Sequence, residues 1–188
     1  MRDVKKMPAR QFIPPLTVSH PELLRNDSDD EFREMIYLIV EVLSKLSICR
    51  EAFGRSMGLT GSQFAVLVGV AYRQGEQGVT IKRLADYVHL AATHVTTEVG
   101  RLQRKGLLNK RPGKEDRRSV LVSLTPKGES AVMSVAPFVK RINDLLFSGI
   151  TARELAIARN MFTRLSLNSE LAVAEIRLAD REAMLLGR

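Results

Sequence analysis

The chain has no tryptophan, a single cysteine and three histidines among 188 residues. One thiol, Cys49, excludes an intramolecular disulfide framework. With only three imidazoles and one thiol in the whole chain, a structural zinc site is not expected. Aromatic residues make up 5% of the chain, and strand-favouring runs, glycine and proline are sparse. That composition predicts a mainly helical protein. No apolar run is long enough to span a bilayer. The basic start (Arg2, Lys5, Lys6) leads into a stretch broken by Pro14 and Pro15 rather than into an apolar core. The expectation is a chain without signal peptide or membrane span, hence cytoplasmic. No nucleophile–base pair, metal-ligand cluster or glycine-rich phosphate loop occurs at informative spacing, so neither an enzyme nor a cofactor is expected.

What is present is a core's worth of apolar residues (45%) and a positive balance of +8, from 29 Lys and Arg against 21 Asp and Glu. The charge is local. Between Arg101 and Arg118 stand eight cations (Arg101, Arg104, Lys105, Lys110, Arg111, Lys114, Arg117 and Arg118) and two acids (Glu115 and Asp116), a net +6. A concentrated basic stretch favours a polyanion partner, nucleic acid first.

Residues 1–27 contain Pro8, Pro14, Pro15 and Pro21 and no periodicity, which predicts an extended arm, either free or laid over a partner subunit. Ser28-Asp29-Asp30-Glu31 reads as a capping box. It opens a helix of more than 25 residues that ends near Met57, with Gly58 as a left-handed cap. So long a helix with a broad apolar face suits a subunit interface. Thr60 with Gln63 opens a second helix through about Gln74, and Val79 is expected to add a very short strand. Thr80 caps a short helix over 81–88. His89-Leu90-Ala91 makes a turn, and a second helix follows over 92–105, closed by Gly106.

In that second helix Val95, Val99 and Leu102 share one face. The other face carries Thr93, Thr97, Gly100 and Arg104, flanked by His94 and Arg101, with Thr96 at the edge. A recognition helix enters the major groove, about 12 Å wide, with its N-terminal residues at base edges. Short threonines and His94 suit that end, and the arginines suit phosphates. Gly100 in mid-helix costs about 1 kcal/mol relative to Ala, which close approach to DNA or to another helix would offset. Residues 107–111 and 119–124 read as two strands around a basic, turn-rich loop, 112–118, which contains Lys114 and follows Lys110. Arginines at such a tip (Arg117, Arg118) suit a narrow minor groove. Asp116, as a carboxylate, is expected to orient Arg118 rather than meet phosphate. Thr125-Pro126 starts a helix to about Phe147 that Pro137 should kink or split. Thr151 with Glu154 caps a last helix reaching the 180s, with a possible interruption near Asn168-Ser169.

In order, these residues resemble the MarR family of transcriptional regulators, over roughly 30–165. The resemblance rests on Leu59-Thr60, Gln63-Phe64 and Val66-Leu67. It continues in Arg101-Leu102, Lys105-Gly106-Leu107, the wing Asp116-Arg117-Arg118 and Leu124-Thr125-Pro126-Lys127-Gly128. It implies a mainly α fold with a small β-hairpin wing, a winged helix-turn-helix whose N- and C-terminal helices intertwine in an obligate homodimer. It divides the chain into an arm (1–27), a dimerisation helix (28–58), a DNA-binding lobe (59–125) and C-terminal helices (126–188). Double-stranded DNA with a pseudo-palindromic operator is the implied partner, with Thr93, His94, Thr96 and Thr97 in the contacting segment and Arg117 and Arg118 at the wing arginines. Ala92 and Thr97 depart from the family, which often has a polar or charged residue at the first position and an arginine at the second. That lowers the phosphate contacts expected of the helix.

The resemblance also implies release of DNA by a small phenolic or aromatic acid, for which Arg50 and Tyr72 are the candidate pocket residues. Cys49 fits an inert buried thiol better than a redox sensor. The competing reading is an architectural or non-specific DNA-binding protein.

Overall fold

The structure, a computed structural model, describes residues 12–113 and 119–185. It is built from six helices and one small sheet among those residues. The chain divides into two units, one running through Phe138 and the other starting at Val139.

The described part of the arm is not featureless. A single 3-10 turn covers Pro21–Leu23. Arg25 and Ser28 then exchange backbone hydrogen bonds at 2.8 and 3.0 Å across Asn26 and Asp27, both with positive φ. Asn and Asp tolerate that left-handed geometry better than other side chains. The turn delivers the chain to α1 (Asp30–Ser56). Here the expected capping box does not form. Asp29 is the N-cap residue, its side chain makes no cap bond, and Glu31 pairs with Arg25 instead of reaching back. Asp29 is buried. Its Oδ2 accepts hydrogen bonds from the backbone N–H and the hydroxyl of Thr17, each at 2.6 Å, while Arg33 pairs with Asp29 and Asp30. A contact twelve residues back along the chain has displaced the local cap.

Only Phe53 and Gly54 of α1 are buried. They seat its end against α2 (Gly61–Arg73). A Cβ on Gly54 would lie 2.7 Å from the Thr60 backbone, so the elbow between the helices needs glycine there. Gly58 turns the chain with φ +66°, and Glu51 accepts from the Gly61 N–H at 3.0 Å. The Thr60–Gln63 capping box is present. Phe53 stacks 5.4 Å from both Phe64 and Phe138.

α2 is the hub of the core, burying Phe64, Val66, Leu67 and Val70. Around it lie β1 (Val79–Thr80), α3 (Ile81–Val88), α4 (Ala92–Arg104), β2 (Leu108–Pro112) and β3 (Val120–Leu124). The sheet is antiparallel in the order β1-β3-β2, with Val122 facing Val79 on one side and Lys110 on the other. The core cluster draws on Leu59, Val66, Leu67, Val70, Val79, Leu84, Val95, Val99, Leu102, Leu108 and Val122. Each such side chain contributes roughly 1.5–3 kcal/mol of burial.

α5 (Pro126–Leu146) starts at Thr125, whose hydroxyl accepts from the Gly128 N–H at 3.0 Å and donates to the Gly106 carbonyl at 2.7 Å. The expected split at Pro137 does not occur: α5 runs through it. Pro137 and Met133, whose carbonyl a proline deprives of its helical partner, are both exposed residues. α6 (Ala152–Leu185) is likewise continuous. The Thr151–Glu154 box caps it, with the Thr151 hydroxyl holding the Glu154 carboxyl below its ordinary pKa. No interruption appears near Asn168, and Ser169 bonds back to the Ser166 carbonyl at 2.7 Å within the helix. Over residues 152–184 of α6 none is buried.

Candidate nucleic-acid interface

Helix α3, a turn and α4 form the helix-turn-helix. Thr80 caps α3, its hydroxyl accepting from the Arg83 N–H at 3.3 Å. His89 ends it in the left-handed conformation, φ 52°. Ala91 begins α4 without a side-chain cap. Val95, Val99 and Leu102 are fully buried, which turns Thr93, His94, Thr96, Thr97 and Arg104 outward into solvent.

Two of the outward threonines are only partly free. The Thr96 hydroxyl donates to the Ala92 carbonyl at 2.8 Å, and that of Thr97 to the Thr93 carbonyl at 3.0 Å. Their hydrogens are engaged, leaving oxygen lone pairs and methyl groups to face outward. Gly100 has no close neighbour: the nearest atom to a Cβ built there is Lys110 Nζ, at 3.7 Å. The close helix approach that would offset its cost is therefore absent among the described residues.

The cationic stretch divides into free and engaged groups. Lys105 Nζ donates to the Gly58 carbonyl at 3.0 Å, beyond the end of α1, and Arg111 Nη2 to the Gln77 carbonyl at 2.6 Å. Lys127 Nζ similarly bonds the Lys105 carbonyl at 2.9 Å, closing the end of α4. Arg101 Nη1 donates to Glu98 Oε1 at 2.6 Å. Arg104 and Lys110 make no hydrogen bond or ion pair among the described residues and stay exposed. Lys114, Asp116, Arg117 and Arg118 lie outside the described residues.

Arg50 and Tyr72 are exposed, Tyr72 at 74%, and neither lines either of two concavities of the fold. One concavity is lined by Gln63, Arg101, Arg104 and Lys105. The other lies between α3 and β1, lined by Arg73, Val79, Arg83, Asp86, Tyr87 and His89, with the Arg73 guanidinium 4.0 Å from the centre of the Tyr87 ring. Cys49 is half-buried. Among the described residues no group of three or more His, Cys, Asp or Glu is placed to hold a metal ion. No described helix is long and apolar enough to cross a membrane.

A family described as "Winged helix DNA-binding domain" matches residues 59–128, the span of the core just described. The HTH-type transcriptional regulator MhqR of Bacillus subtilis is 28% identical over 113 residues, covering 60% of this chain and 76% of the relative. Among solved structures, a mutant MarR from E. coli complexed with operator DNA superposes with a TM-score of 0.60, at 23% identity, over 72% of this chain and 96% of the other. The fold is that of the MarR-family winged-helix regulators. CouR from Rhodococcus jostii, solved with p-coumaroyl-CoA bound, shares the MarR fold with a TM-score of 0.64 at 20% identity, over 73% of this chain and 95% of that one.

The chain is a transcription regulator with a DNA-binding winged helix, and the curated relatives it matches are regulators rather than enzymes. One residue of this helix-turn-helix escaped the sequence reading. Glu98 is buried on the inner face of α4, among Val95, Val99 and Leu102. The spacing carried the signal, since position 98 follows Val95 by three and precedes Leu102 by four.

Proposed function

We propose that the protein is a homodimeric, sequence-specific repressor. The outward face of α4 reads a pseudo-palindromic operator, and a small aromatic or phenolic ligand releases it. The observation that carries this is the outward face itself: exposed Thr93, His94, Thr96 and Thr97 at the reading end, with Arg104 and Lys110 free beside them. In this reading Thr93 and His94 lie at base edges. Thr96 and Thr97 offer oxygens to base amino groups and methyls to thymine. Arg104, Lys110 and Lys114 meet phosphates, with Arg101 at the edge of that set. Arg117 and Arg118 enter the minor groove, oriented by Asp116.

Two features support a homodimer divided at 28–58, 59–125 and 126–188. α1 exposes Met35, Ile36, Tyr37, Leu43 and Leu46, and α6 buries nothing over 152–184 while exposing Leu155, Phe162, Leu165, Leu171 and Ile176. Apolar surface on that scale marks an interaction face. A repressor then acts by occupying promoter DNA. Response to a ligand draws on CouR, solved with p-coumaroyl-CoA. Arg50 and Tyr72 face solvent in the single chain, so a pocket at them needs a second subunit to cover it.

A non-specific architectural role is the second reading. It is favoured by the engaged hydroxyl hydrogens of Thr96 and Thr97, which leave few directional donors at the reading end. Selection of bound duplexes from a random library separates the two. Under the repressor reading, a consensus emerges and binds at least about 10³-fold tighter than scrambled duplex at one fixed salt concentration. Replacing Arg117 and Arg118 together by alanine weakens that binding without lowering the melting temperature. A ratio near one would leave the architectural reading standing instead.

A further inference from the structure

The recognition helix carries a carboxylate where a winged helix has no evident use for one. Glu98 is 2% exposed, and its Oε2 has no hydrogen-bond partner among the described residues. Its Oε1 accepts from Arg101 Nη1 at 2.6 Å, the one ion pair the carboxylate makes among those residues. Arg101 sits three residues on, with its side chain 49% exposed at the rim of the depression it shares with Gln63, Arg104 and Lys105. A buried carboxylate demands a compensating cation, and removing that cation is far more costly than removing the pair. The bond therefore holds Arg101 against the helix for reasons internal to the fold.

We infer that Glu98 is a positioning residue for DNA binding: it withholds the charge of Arg101 from the phosphates, so that α4 presents a neutral pair there and its phosphate contacts fall to Arg104. This rests on the reading of α4 as the DNA-facing helix. It also gives the threonine face a reason to discriminate. Each cation kept off the backbone lowers the sequence-independent part of affinity and raises the relative weight of base contacts.

The consequence is readable in the salt dependence of binding. The log of affinity falls with the log of salt by about 0.9 for each neutralised phosphate. Glu98→Leu releases Arg101 and should steepen that slope by about 0.9 per bound protomer, so a fourfold rise in salt costs the variant about 3.5 times more affinity than wild type. The double variant Glu98→Leu/Arg101→Ala, which removes both charges, should return to the wild-type slope. A residue that only stabilised the helix would not produce this pattern. Glu98→Gln, nearly isosteric, carries the same expectation and serves if leucine does not pack. Arg101→Ala alone should lower the melting temperature, and the double variant should recover it.

The assay uses the full chain and a mixed-sequence duplex, with affinity measured across a salt series and melting followed without DNA. A steeper slope for Glu98→Leu that disappears in the double variant supports the inference. An unchanged slope for both glutamate variants, or an Arg101→Ala protein that melts like wild type, overturns it while leaving duplex binding intact. Wild type that binds no duplex at any salt would overturn the DNA-facing reading of α4 as well.

Discussion

Asp29 shows how a single side chain redirects the start of a helix. Ser28 and Glu31 stand at capping-box spacing, yet the Ser28 hydroxyl accepts only from the Asp30 N–H, at 3.2 Å, and Asp29 takes the N-cap position while its carboxylate reaches back to Thr17. The Thr17 hydroxyl, then its N–H, hold the Asp29 carboxyl below its ordinary value against the opposing effect of burial, and the Arg33 guanidinium adds to the same direction. Because the folded-state value lies below the unfolded one, this contribution is complete above the ordinary aspartate value, about 3.9. It is lost as pH falls from there through the depressed value. Asp29→Asn should therefore melt below wild type at neutral pH, and the gap should close in thermal scans carried well into acid. A gap that stays constant with pH would show that the carboxylate's charge is irrelevant to the anchor. The same scale holds the main surprise at the interface. Lys105 and Arg111 count toward the basic stretch in the sequence, but their partners are backbone carbonyls 47 and 34 residues away.

At the scale of elements, local signals carried the helix-turn-helix with little error. Thr60, Thr80, Thr125 and Thr151 each accept the backbone hydrogen bond that starts a helix. Such caps contribute about 1 kcal/mol each and depend only on the next three residues, so they are legible in one dimension. The first turn of α5 adds a demand that is not local. A Cβ on Gly128 would lie 2.1 Å from the Leu107 carbonyl oxygen, where α5 meets the residue just before β2. Gly128→Ala should cost about 1–3 kcal/mol, the usual range for overpacking. The cost should appear in urea unfolding as a lower midpoint at unchanged slope. Wild-type stability in that variant would mean the junction yields freely. Pro137 and Asn168-Ser169 show the opposite case, since each reads as a break and neither is one. A proline on the exposed side of a helix leaves its orphaned carbonyl to water, and a serine can bond within its own helix.

For the whole molecule, burial is unevenly distributed. The buried core cluster lies between Leu59 and Val122, while the exposed apolar side chains gather on α1 and over 145–184. A 34-residue helix with nothing buried over 152–184 gains little from its own propensity and needs a partner surface. If that partner is a second copy, the melting temperature should rise with protein concentration, because association stabilises the folded state by mass action. Sedimentation should find a dimer across the same range. A concentration-independent transition with a monomeric sedimentation coefficient would remove the homodimer from the proposed function.

The sequence by itself determined the elements and their faces: where the helices after α1 start, the inward set Val95, Val99 and Leu102, and the strand pair around the wing. These depend on periodicity and on neighbours within about four residues, which a linear chain displays directly. The tertiary structure alone decided which charges remain available. It buried Glu98 and tied Arg101 to it, used Lys105 and Arg111 to satisfy distant carbonyls, and left Arg104 and Lys110 outward. A cation's role depends on what folds up beside it, and a buried carboxylate or an orphaned carbonyl close by is a stronger claim on it than any pattern of spacing.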